Sequence, residues 1–100
     1  ILGENLMKTW THPGGKLIEL GPLALTDEEL LAVLIGSGYK GRTAQDIAKE
    51  LIDTYYSIPG LMGKKLTELA KIKGLKDVKV VRIAAAFEIA RRVVKALEKE

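Results

Sequence analysis

The chain of 100 residues contains no cysteine. That excludes disulfides and any thiolate metal centre, and it fits a reducing, cytoplasmic setting. Its single histidine, His12, is too few for a catalytic zinc site, which takes about three protein ligands. With one Trp, three Tyr and one Phe, the core must be built from Leu, Ile, Val and Ala, which favours close helix packing over a sheet sandwich. No apolar run approaches the roughly 20 residues of a membrane span. Residues 1–8 lack the basic start and long apolar centre of a secretory signal. The chain opens on Ile, which reads as a fragment of a longer protein, with Met7 a candidate natural start. No cofactor, small-molecule substrate or membrane contact is expected, and no nucleophile, base or ligand set for an enzyme is present.

What is there is an ordinary globular composition, 47% hydrophobic and 29% charged, at the size of one compact domain. The net charge of +3 is modest, but it is unevenly spread. The first half has slightly more acids than bases, whereas the second has an excess of Lys and Arg, densest from Lys64 to Arg82. Such asymmetry points to an anionic partner for the second half, or to an ordinary solvated helical face.

The pattern divides into an irregular N-terminal segment, residues 1–15, and a helical domain, residues 16–100. Thr11-His12-Pro13-Gly14-Gly15 reads as a loop, with His12 a loop residue and Trp10 an anchor for the segment. Residues 16–20 form one helical turn stopped by Gly21-Pro22. Thr26-Asp27-Glu28-Glu29 has capping-box spacing, which accounts for its acids without acid–base chemistry. The helix it opens ends at Gly36-Ser37-Gly38. After the basic turn Tyr39-Lys40-Gly41-Arg42, Thr43 and Asp46 cap a second helix with Ala44, Ile47, Ala48, Leu51 and Ile52 on one face. Ser57 caps a short turn, and residues 65–72 predict a short helix with Leu66, Leu69 and Ile72 at three-residue spacing. From Asp77 to about Lys99 runs the longest helix, with Val78, Val81, Ala85, Ile89 and Val93 as its apolar stripe.

The informative feature is helix, glycine turn, helix, occurring twice. Such turns expose backbone N–H groups at the start of the following helix, which together with the helix dipole suit a phosphate. Contacts of this kind carry no sequence information. In the second unit, Leu69, Ile72, Gly74, Leu75, Lys79 and Ile83 match the helix-hairpin-helix pattern, but Lys76 replaces its second glycine and Val80 its small residue. The first unit keeps both glycines in Gly36-Ser37-Gly38, with Lys40 and Arg42 nearby and a longer spacing. The candidate DNA-backbone contacts are Gly36, Ser37, Gly38, Lys40, Arg42, Gly74, Leu75, Lys76, Lys79 and Arg82, flanked by Lys73. The plain alternative makes the glycines helix C-caps and the bases ordinary surface. Lys64 and Lys65 read as solvated, Tyr39 as packing with contact to a sugar or base as the alternative, and Arg91 and Arg92 as facing solvent or a further domain.

Lys16-Leu17-Ile18-Glu19-Leu20-Gly21-Pro22, Leu25-Thr26-Asp27-Glu28-Glu29-Leu30-Leu31-Ala32 and Gly36-Ser37-Gly38 resemble the N-terminal domain of the RadC family. So do Asp46-Ile47-Ala48, Glu68-Leu69, Ile72-Lys73-Gly74-Leu75 and Ala86-Phe87-Glu88-Ile89-Ala90-Arg91-Arg92. The resemblance implies a helix-hairpin-helix domain in front of a zinc-metalloprotease-like domain of the JAMM type, which is absent here, in a family named for DNA repair. The expected architecture is all-α, a tandem helix-hairpin-helix bundle like the second domain of RuvA, with a long C-terminal helix. The expected function is weak, sequence-independent DNA-backbone binding without catalysis. The alternative is a docking or regulatory module for the absent domain or another protein, marked by a large apolar patch on the last helix.

Overall fold

A computed structural model of the chain describes residues 12–76 and 78–99. Met7, Trp10 and Asp77 lie outside the described residues. In chain order the helices are α1 (Pro13–Leu20), a 3-10 turn (Pro22–Ala24), α2 (Asp27–Ile35), α3 (Ala44–Tyr55), α4 (Ile58–Leu61), α5 (Leu66–Leu69) and α6 (Val78–Glu98). Among the described residues there is no strand, and the only pairing outside helices is the bridge between Tyr39 and Arg42. The all-α expectation holds.

Capping decides where the two central helices begin. The Thr26 hydroxyl accepts the Glu29 amide, and the Glu29 carboxylate accepts the Thr26 amide, a reciprocal box that starts α2. Thr43 and Asp46 repeat it at the start of α3. Each box satisfies backbone donors that the first helical turn leaves free. Gly36, at φ 85, stops α2. Leu31, Ala32 and Ile35 of α2 then pack on Ile47, Ala48 and Leu51 of α3, all buried. Leu61, Leu69, Ile72, Leu75, Val80 and Ile83 complete the cluster. Burying one such Leu or Ile contributes roughly 1.5–3 kcal/mol.

Three expectations are corrected. The loop expected at Thr11-His12-Pro13-Gly14-Gly15 is helical from Pro13, and the Nδ1 of His12 accepts the Gly15 amide at 3.3 Å as an N-cap. Proline at the first helical position carries no N–H that the helix needs and has the right φ, so Pro13 starts α1 instead of breaking it. The helix expected over residues 65–72 spans only Leu66–Leu69, with Ile72 buried in the turn that follows. On α6, the stripe Val78, Val81, Ala85, Ile89 and Val93 is exposed, and the face against the core carries Val80, Ile83 and Phe87. Both sets have helical periodicity, so periodicity alone does not choose between them.

Candidate nucleic-acid interface

The two glycine turns lie against each other, and basic side chains stitch them together. From the first turn, the Arg42 guanidinium donates to the Lys73 carbonyl at 2.9 Å and to the Glu50 carboxylate at 2.6 Å. From the second unit, the Lys79 ammonium donates to the carbonyls of Ser37 at 2.9 Å and Gly38 at 3.2 Å. The Arg82 guanidinium lies beside Gly36, with Nη1 3.3 Å from where a Cβ would sit. All three are sequence-selected contacts, and each has a partner or neighbour inside the protein. Lys79 and Arg42 are half-buried, whereas Lys40, Lys73, Lys76 and Arg82 are exposed.

Close approach of neighbouring atoms explains two of the glycines, backbone at Gly38 and side chains at Gly74. A Cβ on Gly38 would overlap the Arg42 carbonyl. Gly74, at φ 93, is buried, and a Cβ there would lie 2.8 Å from Ile47 Cδ1 and 3.1 Å from Tyr39 Cβ. Leu75 is 0% exposed, and its amide donates to the Ile72 carbonyl at 3.0 Å. Its side chain and its N–H are therefore both engaged within the protein, and it acts on the turn by pinning it to the core. The backbone amides of Ser37, Gly38, Lys40 and Gly41 in one turn, and of Lys73 and Lys76 in the other, all in exposed residues, have no acceptor among the described residues.

Electrostatically the turns differ. Asp46 sits at the start of α3, and the Thr43 N–H it accepts, with the Thr43 hydroxyl, holds its carboxyl below the ordinary carboxylate range. Glu50 neutralises Arg42. The first turn thus supplies its own anions. Around the second, Lys73 and Lys76 make no ion pair with any described residue. Lys64 stands apart, 5.6 Å from the Tyr55 ring centroid. Arg91 and Arg92 are both ion-paired with Glu88 at 2.8 Å, a local arrangement that sequence reading missed although the spacing of three and four residues signals it.

The profile described as UPF0758 N-terminal matches residues 6–81. The chain belongs to the UPF0758 family. A UPF0758 protein of Methylibium petroleiphilum is 42% identical over 81 residues, which is 81% of this chain and 36% of that protein. One from Aquifex aeolicus is 44% identical over 81 residues, covering 81% of this chain and 34% of its own length. One from Halorhodospira halophila is 40% identical over 89 residues, covering 86% and 40%. The chain thus spans little more than a third of the length of these relatives. No solved structure gives a significant match. These findings support the RadC-family N-terminal resemblance. The UPF0758 N-terminal match includes both turns and stops inside α6, so Ile89, Val93 and Leu97 lie past it. Among the described residues no group of three or more His, Cys, Asp or Glu could hold a metal, and no helix is long and apolar enough to cross a membrane.

Proposed function

We propose that this UPF0758 domain is a tandem helix-hairpin-helix module, like the second domain of RuvA, that holds DNA by its backbone without base specificity. In this reading it is a non-catalytic, cytoplasmic part of a DNA repair protein. The observation that carries it is the pair of packed turns, whose exposed residues hold amides with no acceptor among the described residues together with the exposed lysines Lys40, Lys73 and Lys76. Acceptor-free amides in the turns that lead into helices, with cations nearby in the chain that form no ion pair with a described residue, are the donors a phosphate needs. The second turn carries most of the binding, because Asp46 and Glu50 already occupy the first. Lys76, where the motif has glycine, contributes charge in place of the closest backbone approach.

The test is fluorescence anisotropy with labelled plain and branched duplexes at about 50 and 200 mM salt. The Lys73→Glu/Lys76→Glu variant should bind at least tenfold more weakly than wild type at the lower salt, since it reverses two phosphate contacts. Equal binding by both proteins refutes the role of the second turn.

A second reading has its own observation. α6 is apolar on two sides, and Ile89 is 64% exposed on the side away from the core. Val33 and Leu34 of α2 form an open groove with Arg82, Ala85, Ala86 and Ile89. Such a patch favours docking, here of the region that follows the N-terminal domain in UPF0758 relatives or of another protein. The two surfaces meet at Arg82, which lies beside Gly36 and also lines the groove, and otherwise use different residues.

A further inference from the structure

The first turn presents an aromatic ring among the cations. Tyr39 and Arg42 face each other across a two-residue turn, exchanging backbone hydrogen bonds of 2.9 and 3.0 Å. Lys40 at φ 40 and Gly41 at φ 83 form its centre, both left-handed as in type I′ turns. That conformation is costly for lysine, and residues held in sparsely populated regions cluster at functional sites. The pairing sends Arg42 to the Lys73 carbonyl and sets Tyr39 Cβ against Gly74. Tyr39 is left 38% exposed and forms one wall of a small cleft completed by Gly74, Lys76 and Lys79. The Lys40 ammonium lies over one face of the Tyr39 ring, 5.3 Å from its centroid, so a base would stack on the ring's other face or in place of this mobile-ended side chain.

We propose that Tyr39 is a stacking platform for an unpaired base, so that the module prefers DNA with a single-stranded end or junction over fully paired duplex. This rests on the backbone-binding reading and adds a substrate class to it. A partly exposed aromatic ring among cations is the combination that single-stranded nucleic acid uses: the phosphates meet Lys73 and Lys76, and a base meets the ring. Every base has a π face, so this adds preference for structure without preference for sequence. A paired base must first be unstacked, at a cost that an unpaired one avoids.

The experiment compares wild type, Tyr39→Ala and Tyr39→Phe on a blunt duplex and on the same duplex with a short single-stranded overhang. Alanine keeps the Cβ that packs on Gly74, and phenylalanine keeps the ring. Wild type and Tyr39→Phe should bind the overhang roughly tenfold more tightly than the blunt duplex, the size of one base–aromatic stack. Tyr39→Ala should lose that preference and retain blunt-duplex affinity. Equal wild-type affinity for the two DNAs overturns the stacking platform while leaving backbone binding intact. Preference retained in Tyr39→Ala also overturns it. Failure to bind either DNA removes both readings together.

Discussion

Lys79 spends its charge inside the molecule. Its ammonium bridges two carbonyls of the first turn, Ser37 and Gly38, more than forty residues away in sequence. Hydrogen bonds to a charged group contribute about 1.5–3 kcal/mol when both partners are held in place, and less when water competes. Lys79→Met should therefore lower unfolding free energy by about 1 kcal/mol, whereas Lys76→Met, at an exposed position, should change it by less than about 0.5 kcal/mol. Urea denaturation of the two variants decides this, and equal midpoints would remove the bridge from the account. Because of that bridge, charge reversal at Lys79 would disturb the turns as well as any ligand, and Lys73 and Lys76 are the cleaner probes of DNA contact. Gly74 is the least replaceable residue of the second turn. Its positive φ and the 2.8 Å approach of Ile47 Cδ1 combine strain with overpacking. Gly74→Ala should cost about 2–4 kcal/mol, read as a lower thermal midpoint.

Among the elements, α6 joins the core to a long exposed continuation. Its distal part holds a local ion-pair cluster in which Arg91 and Arg92 both donate to Glu88. The hydrogen bond from Arg91, then that from Arg92, brings the Glu88 carboxyl down from 4.5 to about 2. A lowered folded-state value means the contribution is present above pH 4.5 and is lost as pH falls from there towards 2. Helicity followed by circular dichroism should fall through that window, and Glu88→Gln should flatten this part of the fall. An identical acid transition in the variant would place the titrating group elsewhere. The elements also show what the sequence carried. Thr26 with Glu29 and Thr43 with Asp46 were legible, because a cap is a local contract between residues three apart. The inward face of α3 was legible too, since its polar side leaves one choice, whereas α2 is apolar almost all round after its first turn and only packing decides that Leu31, Ala32 and Ile35 are the buried ones. The buried side of α6 is not legible, because Val80-Ile83-Phe87 and Val78-Ala85-Ile89 have the same period and only the neighbouring helices choose between them. At α1, the breakers Pro13 and Gly14 were read without the His12 cap that makes them a helix start.

At the scale of the molecule, the candidate site is a product of tertiary packing. Gly36, Gly38 and Gly74 could be picked out in the sequence, but nothing local says that Arg42 reaches the Lys73 carbonyl or that Lys79 reaches back to Ser37. These long-range stitches turn two separate bends into one surface and leave Lys40, Lys73 and Lys76 as its outward charges. The same packing leaves the groove beside Val33, Leu34 and Ile89 open on the other face of α6. The domain thus carries a basic surface at its turns and an apolar one along its last helix, one for each of the two proposed roles.

The most direct test of the central claim is the salt dependence of DNA binding. The log of the binding constant for a plain duplex, measured against log salt concentration from about 50 to 200 mM, should fall with a slope of roughly −2 to −3, as about three phosphate contacts require. In the Lys73→Glu/Lys76→Glu variant the slope should shrink towards −1 along with the affinity. A slope near zero in wild type, or no binding at about 50 mM salt and high protein concentration, contradicts backbone binding and leaves the apolar face of α6 as the working surface of the domain.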